Sequence, residues 1–300
     1  MSSITDFRLA AQDIQYMATP LSRPECVLAF RNGSLLISDN RAALIRIRPD
    51  GTHETIGSMQ GRPNGFAVTG AGELYIANIA QGKFYRVARD GREEVFLETF
   101  EGKPVGAANF VYADPHHEDR LWLSISTVTV PRNRAEDEGI PDGYIVLRDR
   151  DGMRRVADGF TFTNELRIDR DGAFLYAAET ATGRVSRLRI GADGSLTDRA
   201  IFGPATMFPG ARVDGIAFDA DGNLWVTELT RNALFAITPE GRLHTVFEDP
   251  EGRVIEKPSS VAFGGDDLRT VYVGSLTSTR LAHFRSPIPG LPMRHWNLDW

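Results

Sequence analysis

The chain has 300 residues, 42% of them hydrophobic and 25% charged, which are ordinary proportions for a soluble globular protein with a substantial core. They exclude a disordered chain, a collagen repeat and a disulfide-dense scaffold. The 34 basic and 40 acidic residues give a formal net charge of −6, and no run of Lys and Arg offsets it, so neither nucleic acid nor an anionic membrane is an expected partner. The one cysteine, Cys26, has no partner for an internal disulfide, which fits a reducing compartment. No uncharged apolar stretch reaches the ~18 residues of a membrane span. The opening residues Met1-Ser2-Ser3-Ile4-Thr5-Asp6 lack the basic and apolar regions of a signal peptide, so a cytoplasmic protein is expected.

Length alone predicts about two domains. An internal repeat overrides that prior. Its unit is a small residue, a polar residue, a short apolar run, a turn, and a second apolar strand. In chain order the units begin Pro24-Glu25-Cys26-Val27-Leu28, Pro63-Asn64-Gly65-Phe66, Ala108-Asn109-Phe110-Val111, Thr163-Asn164-Glu165-Leu166, Val213-Asp214-Gly215-Ile216 and Pro258-Ser259-Ser260-Val261. The polar position falls at 25, 64, 109, 164, 214 and 259, in steps of 39, 45, 55, 50 and 45 residues. Each step has room for four short strands.

A third strand follows in the units, as in Leu44–Ile47, Phe84–Val87, Tyr144–Leu147, Val185–Leu188 and Leu234–Ile237. Several run into Asp-Gly or Glu-Gly hairpin turns at Asp50-Gly51, Asp90-Gly91 and Glu240-Gly241. Fourth strands are predicted at Glu93–Phe96 and His244–Phe247. No long stretch carries a clean helical period. Six four-stranded units predict an all-β, six-bladed β-propeller, one domain over residues 1–300. The last unit lacks a fourth strand, whereas Ile14-Gln15-Tyr16-Met17 is spare, so this N-terminal strand is expected to pair with residues 280–284 and close the ring. The longest step contains a charged, Pro-bearing insertion at about 127–143, either a rim cover or a lid that brings Arg132 or Arg134 to a substrate.

The first strand of each propeller blade lines the central channel, so Glu25, Asn64, Asn109, Asn164, Asp214 and Ser259 are expected to face one another. Taken singly, Asn64-Gly65 and Asp214-Gly215 are ordinary turn pairs. Glu25 and Asn109 lack the following Gly, and Glu25 abuts an apolar run where a carboxylate needs a partner. Two carboxylates with two or three amide oxygens suit a hard divalent cation, calcium first. No thiolate or imidazole site competes: Cys26 is alone, and His116-His117 sit in a charged turn.

These segments resemble the senescence marker protein, gluconolactonase and luciferin-regenerating enzyme family over nearly the whole chain. Phe162-Thr163-Asn164-Glu165-Leu166 and Val213-Asp214-Gly215-Ile216-Ala217-Phe218-Asp219-Ala220-Asp221-Gly222-Asn223-Leu224-Trp225-Val226 carry the resemblance most specifically. It implies a six-bladed fold with one divalent ion on Glu25, Asn109, Asn164 and Asp214, with zinc, magnesium or manganese as alternatives to calcium. It also implies a substrate contact at Asn109. Four positions depart from the family pattern: Cys26 follows Glu25, Glu165 follows Asn164, Phe110 follows Asn109 where an Asp is common, and Ala107-Ala108 stand where an Arg commonly precedes the third-blade Asn.

The function expected is hydrolysis of a small lactone, with Asp214 activating water. Asn64, Asn109, Arg132 and Phe162 are the candidate substrate contacts, Phe162 within a possible apolar wall that also includes Phe66, Phe110 and Phe160. Gly-x-Ser-x-Gly is absent. A non-catalytic binding propeller, a phosphotriesterase and a non-hydrolytic enzyme on the same site stay open as alternatives. A monomer or weak homodimer is expected.

Overall fold

A computed structural model describes residues 3–18 and 20–300. Six four-stranded antiparallel sheets form a ring. In the first five, the strands run from the channel outward in sequence order. Blade 2, for example, contains Pro63–Val68, Leu74–Asn78, Lys83–Val87 and Glu93–Leu97. All six residues of the inner strands of blades 2 to 5 are buried. Outer strands such as His53–Ile56 and Leu196–Phe202 are mostly exposed or half-buried. The repeated apolar run is therefore a strand packed on both faces, between adjacent blades, and not one face of an amphipathic strand.

The ring closes as the incomplete sixth repeat predicts. Gln15–Met17 pairs antiparallel with Leu281–Arg285, aligning Gln15 with His283 and Met17 with Leu281. The sixth blade thus takes its outer strand from the N-terminus. Two buried tryptophans satisfy their indole N–H groups on Asp carboxylates at the ends of inner strands. Trp122 donates to Asp114 Oδ2 at 2.9 Å, and Trp225 to Asp219 Oδ2 at 3.0 Å.

Beyond the last blade, residues 287–300 cross the C-terminal ends of the inner strands. Leu291 N–H donates to Phe218 O, Arg294 Nε to Asp114 O, and Arg31 N–H to Trp296 O. Trp300 is buried in the core cluster with Leu28, Phe66 and Phe110. His295 is buried against Phe30, and burial pushes its pKa down to about 3, so the ring is neutral. This tail stops one end of the channel with apolar side chains. The polar repeat positions lie at the other end.

Among the described residues no helix is long and apolar enough to cross a membrane. The insertion holds the one α-helix of the described residues, α1 (Arg132–Glu138), which ends on Gly139 in the left-handed conformation. Seven residues are too few for a recognisable period, which is why the sequence showed a loop there.

Candidate metal centre and substrate cavity

Five inner strands slip register near their start: between Pro63 and Phe66, Ala108 and Phe110, Thr163 and Leu166, Val213 and Ile216, and Pro258 and Val261. Asn64, Asn109, Asn164, Asp214 and Ser259 fall in these slips. A bulge breaks the alternation of a strand and re-aims its side chains. Blade 1 reaches the same result by starting its strand only after Glu25, with Cys26 N–H held by Ser38 Oγ at 2.9 Å.

Hydroxyls on the neighbouring strand or its end hold the irregular segments. Gly215 N–H donates to Thr227 Oγ1 at 2.7 Å. Asn109 Nδ2 donates to Ser126 Oγ at 2.9 Å, and Asn164 Nδ2 to Thr180 Oγ1 at 3.0 Å. Anchoring the amide nitrogen of Asn164 leaves its oxygen as the free end.

Glu25, Asn64, Asn109, Asn164 and Asp214 all line one cavity of about 410 Å³, and Arg132 and Phe162 line it too. Ser259 does not, because its hydroxyl turns back to donate to the Glu25 carbonyl at 2.7 Å. Of the four phenylalanines considered for an apolar wall, Phe162 faces the cavity, whereas Phe66, Phe110 and Phe160 belong to the core. The Phe110 ring occupies the space a Cβ on Gly65 would need, 1.9 Å away, which explains the small residue there. Arg134 is exposed and pairs with Glu138 at 3.1 Å, so of the two arginines it is Arg132 that reaches the cavity.

Three buried oxygens of this set have no hydrogen-bond donor: Glu25 Oε2, Asn164 Oδ1 and Asp214 Oδ1. Burial pushes the Glu25 carboxyl up to about 8, opposed by Arg23 and reinforced by Glu165. Burial likewise pushes Asp214 well above the usual carboxylate range, with Glu25 and Glu165 adding to the rise and Arg23 opposing it. Two buried, mutually repelling carboxylates that Arg23 only partly offsets, and an unsatisfied amide oxygen, together suit a cation that accepts oxygen donors. A hard divalent cation fits that donor set, and the absence of sulfur or imidazole favours calcium or magnesium chemistry. Among the described residues no three Asp, Glu, His or Cys side chains cluster as ligands, so amide oxygen has to complete any such set. Asn109 differs from the other three candidates: its oxygen already accepts from Asn64 Nδ2 at 3.3 Å.

Sequence reading missed several residues. Glu165 is a third buried carboxylate, paired with Arg167 at 3.0 Å and accepting the Ile216 N–H, and burial raises it to about 7. Arg23, Arg62 and Glu136 also line the cavity. Arg23 and Phe162 stand two residues before Glu25 and Asn164, both with left-handed backbone at φ 56° and 63°. Non-glycine residues rarely hold that conformation, which costs roughly 1–3 kcal/mol and is commonly retained where it aims a side chain at a site. The available signal was the repeated Arg-Pro-polar triplet, Arg23-Pro24-Glu25 and Arg62-Pro63-Asn64.

The insertion is tethered to blade 5. Arg212 donates to Glu136 O at 2.9 Å, to Glu136 Oε1 at 3.1 Å and to Asp137 Oδ1 at 3.2 Å. Arg212→Ala should loosen α1 while leaving the blades intact. Amide protection over residues 128–142 should fall by roughly tenfold, since ion pairs this exposed are individually weak but act here with a backbone bond. Unchanged protection would show that other contacts hold the helix.

A 6-deoxy-6-sulfogluconolactonase from Pseudomonas putida is 27% identical over 188 residues, 62% of this chain and 60% of that protein. Serum paraoxonase/arylesterase 1 from Rattus norvegicus is 26% identical over 154 residues, and the match covers 48% of this chain and 42% of that protein. The chain thus spans about half the length of the curated relatives it matches. Among solved structures, a calcium-binding protein, regucalcin, from Agrobacterium tumefaciens superimposes with a TM-score of 0.72 at 16% identity, covering 93% of this chain and 95% of that one. Residues 23–277 match the family model described as the SMP-30/Gluconolactonase/LRE-like region, the same stretch that carries the repeated site, and the chain belongs to that family.

Proposed function

We propose that this protein is a divalent-metal-dependent lactonase that opens a small sugar-lactone-like ring. The observation that carries the reading is the trio of donorless buried oxygens, Glu25 Oε2, Asn164 Oδ1 and Asp214 Oδ1, on residues lining one cavity. A non-catalytic scaffold gains nothing from burying them. The family match and the lactonase relative support the choice of lactone.

Glu25, Asn164 and Asp214 would hold the ion, with Asn109 able to join them if its oxygen is released from Asn64. A bound divalent cation supplies polarisation of the lactone carbonyl and countercharge for the developing oxyanion. Asp214 is the base: its carboxylate takes a proton from the attacking water. The water oxygen bonds to the carbonyl carbon, the bond from that carbon to the ring oxygen breaks, and Asp214 returns its proton to the leaving oxygen, which ends as a hydroxyl. Phe162 supplies the apolar side of the pocket. Asn64 is fixed by Arg23, whose guanidinium donates to its Oδ1 at 2.8 Å, and Asn64 in turn donates to Asn109 O at 3.0 Å. Helix α1 partly covers the cavity through Arg132 and Glu136 and acts as a lid.

The purified protein should carry about one equivalent of a divalent metal. It should release acid from glucono-1,5-lactone faster than the spontaneous rate, with the excess abolished by chelator and restored by calcium, magnesium, manganese or zinc. Metal-free protein that opens the lactone at the same rate would remove the cation from the reaction. Metal-loaded protein inactive across a lactone panel would leave a binding propeller.

A further inference from the structure

The cavity carries more positive charge than the reaction above uses. Arg23, Arg62 and Arg132 all line it. They come from three places, blade 1, blade 2 and the insertion, yet they feel one another. Burial lowers the Arg132 pKa, and Arg62 and Arg23 lower it further. Like charges gathered without compensation are costly, so the question is what they are gathered for.

The acidic residues present do not answer it. Glu136 is four residues along the helix from Arg132, but its carboxylate is engaged by Arg212 at 3.1 Å. Glu25 and Asp214 are the candidate cation ligands. With a divalent ion on those two and Arg212 on Glu136, the three guanidiniums have no further counterion among the described residues. Among those residues, the Arg23 guanidinium alone of the three is hydrogen-bonded, donating to Pro63 O at 3.0 Å and to Asn64 Oδ1 at 2.8 Å.

Placement narrows the role. Arg62, Arg132 and Glu136 line both this cavity and a groove of about 900 Å³ beside it. Arg62 is exposed, whereas Arg23 and Arg132 are half-buried, and Arg23 shares the cavity with Glu25 and Asp214. A ring seated over Glu25 and Asp214 would therefore carry its substituent outward between Arg62 and Arg132. Guanidinium forks match the paired oxygens of carboxylate, sulfonate and phosphate groups.

We infer that Arg23, Arg62 and Arg132 form an anion subsite, and that the substrate is a lactone bearing an oxyanion substituent on the carbon outside its ring. The inference rests on the lactonase reading for the ring, while the subsite itself rests on the arginines alone. Arg62 and Arg132 take the oxyanion, and Arg23 supplies the positive field between it and the metal ligands.

Two measurements test it. The first compares kcat/KM for glucono-1,4-lactone and glucaro-1,4-lactone, which share a ring and differ by a hydroxymethyl against a carboxylate. The 6-sulfonate and 6-phosphate of gluconolactone rank the other oxyanions. At least one anionic lactone should exceed its neutral counterpart by about tenfold or more. That ratio should fall by about tenfold in Arg62→Gln and in Arg132→Gln, mostly through KM, and Arg62→Lys should recover part of it. Turnover of neutral lactone with no anionic lactone preferred, or a preference untouched by both Gln variants, overturns the subsite.

The second measurement is calorimetric titration of cyclohexanemethanesulfonate and cyclohexylmethanol, ring compounds that hydrolysis cannot open. The sulfonate should bind at least tenfold more tightly, and the difference should vanish in the Arg62→Gln, Arg132→Gln double variant. If no lactone is opened, the lactonase reading fails and the titration alone decides the subsite, with equal binding of the two compounds overturning it.

Discussion

Asp214→Asn should lower lactone turnover on the order of 100-fold or more, the range associated with loss of a general base. The substitution preserves side-chain volume and one oxygen, and it removes both the negative charge and the proton acceptor. Asp214 is buried at the slip between Val213 and Ile216, and its backbone neighbour Gly215 is pinned to Thr227, so the strand start should stay in place. Metal affinity should fall as well, because one of two carboxylates is lost. The two effects separate when kcat is measured at saturating metal. Glu25→Gln supplies the contrast, with weaker metal binding as its main consequence and a far smaller loss of kcat once metal saturates. Full turnover by metal-loaded Asp214→Asn would take Asp214 out of the proton transfer.

Removing the first 18 residues should cost roughly 5 kcal/mol or more of stability, at ~1.5–3 kcal/mol for each buried aliphatic side chain. Ile4, Leu9 and Ile14 are at most 7% exposed and pack in the cluster that includes Trp225, Phe263 and Phe284. Leu9 N–H also donates to Val246 O at 2.9 Å, and Tyr16 hydroxyl to Val254 O at 2.6 Å. The truncated chain would present Leu281–Arg285 as an open edge, so concentration-dependent association should accompany the lower denaturation midpoint. A truncated protein that unfolds at the same denaturant concentration and stays monodisperse would mean that the ring does not depend on this closure.

The blade count was legible because each blade must place one fully apolar strand between its neighbours. The runs beginning at Val27, Phe66, Val111, Leu166, Ile216 and Val261 have no other use. Closure was legible from a deficit: the chain after Phe284 offers no fourth strand, and Gln15–Met17 fills the place. The ring of polar heads could be read as a register, but its geometry could not. Three of the five bulges are held through the hydroxyls of Ser126, Thr180 and Thr227, which in sequence are only strand-end residues 12 to 17 positions away. The same limit hid Ser259, whose hydroxyl finds the Glu25 backbone across the ring closure, 234 residues away.

The C-terminal segment read as a Pro-rich tail. Its packing under the channel comes from contacts to Phe218, Asp114 and Arg31 in three blades, and no local pattern announces them. Arg23 was hidden for another reason. Its left-handed backbone is unusual for such a residue, so nothing in residue type marks it as turned toward the cavity. Helix α1 escaped because its placement rests on Arg212, about 75 residues downstream, and not on an apolar face.

The most direct test is to locate the ion. Crystals grown with calcium, measured at a wavelength where calcium scatters anomalously, should show one strong peak in the cavity. It should lie ~2.3–2.6 Å from side-chain oxygens of Glu25, Asn164 and Asp214, with the remaining ligands supplied by water or Asn109. A peak bound elsewhere, or an empty cavity in protein that still opens lactones, would contradict a metal centre built on these three residues.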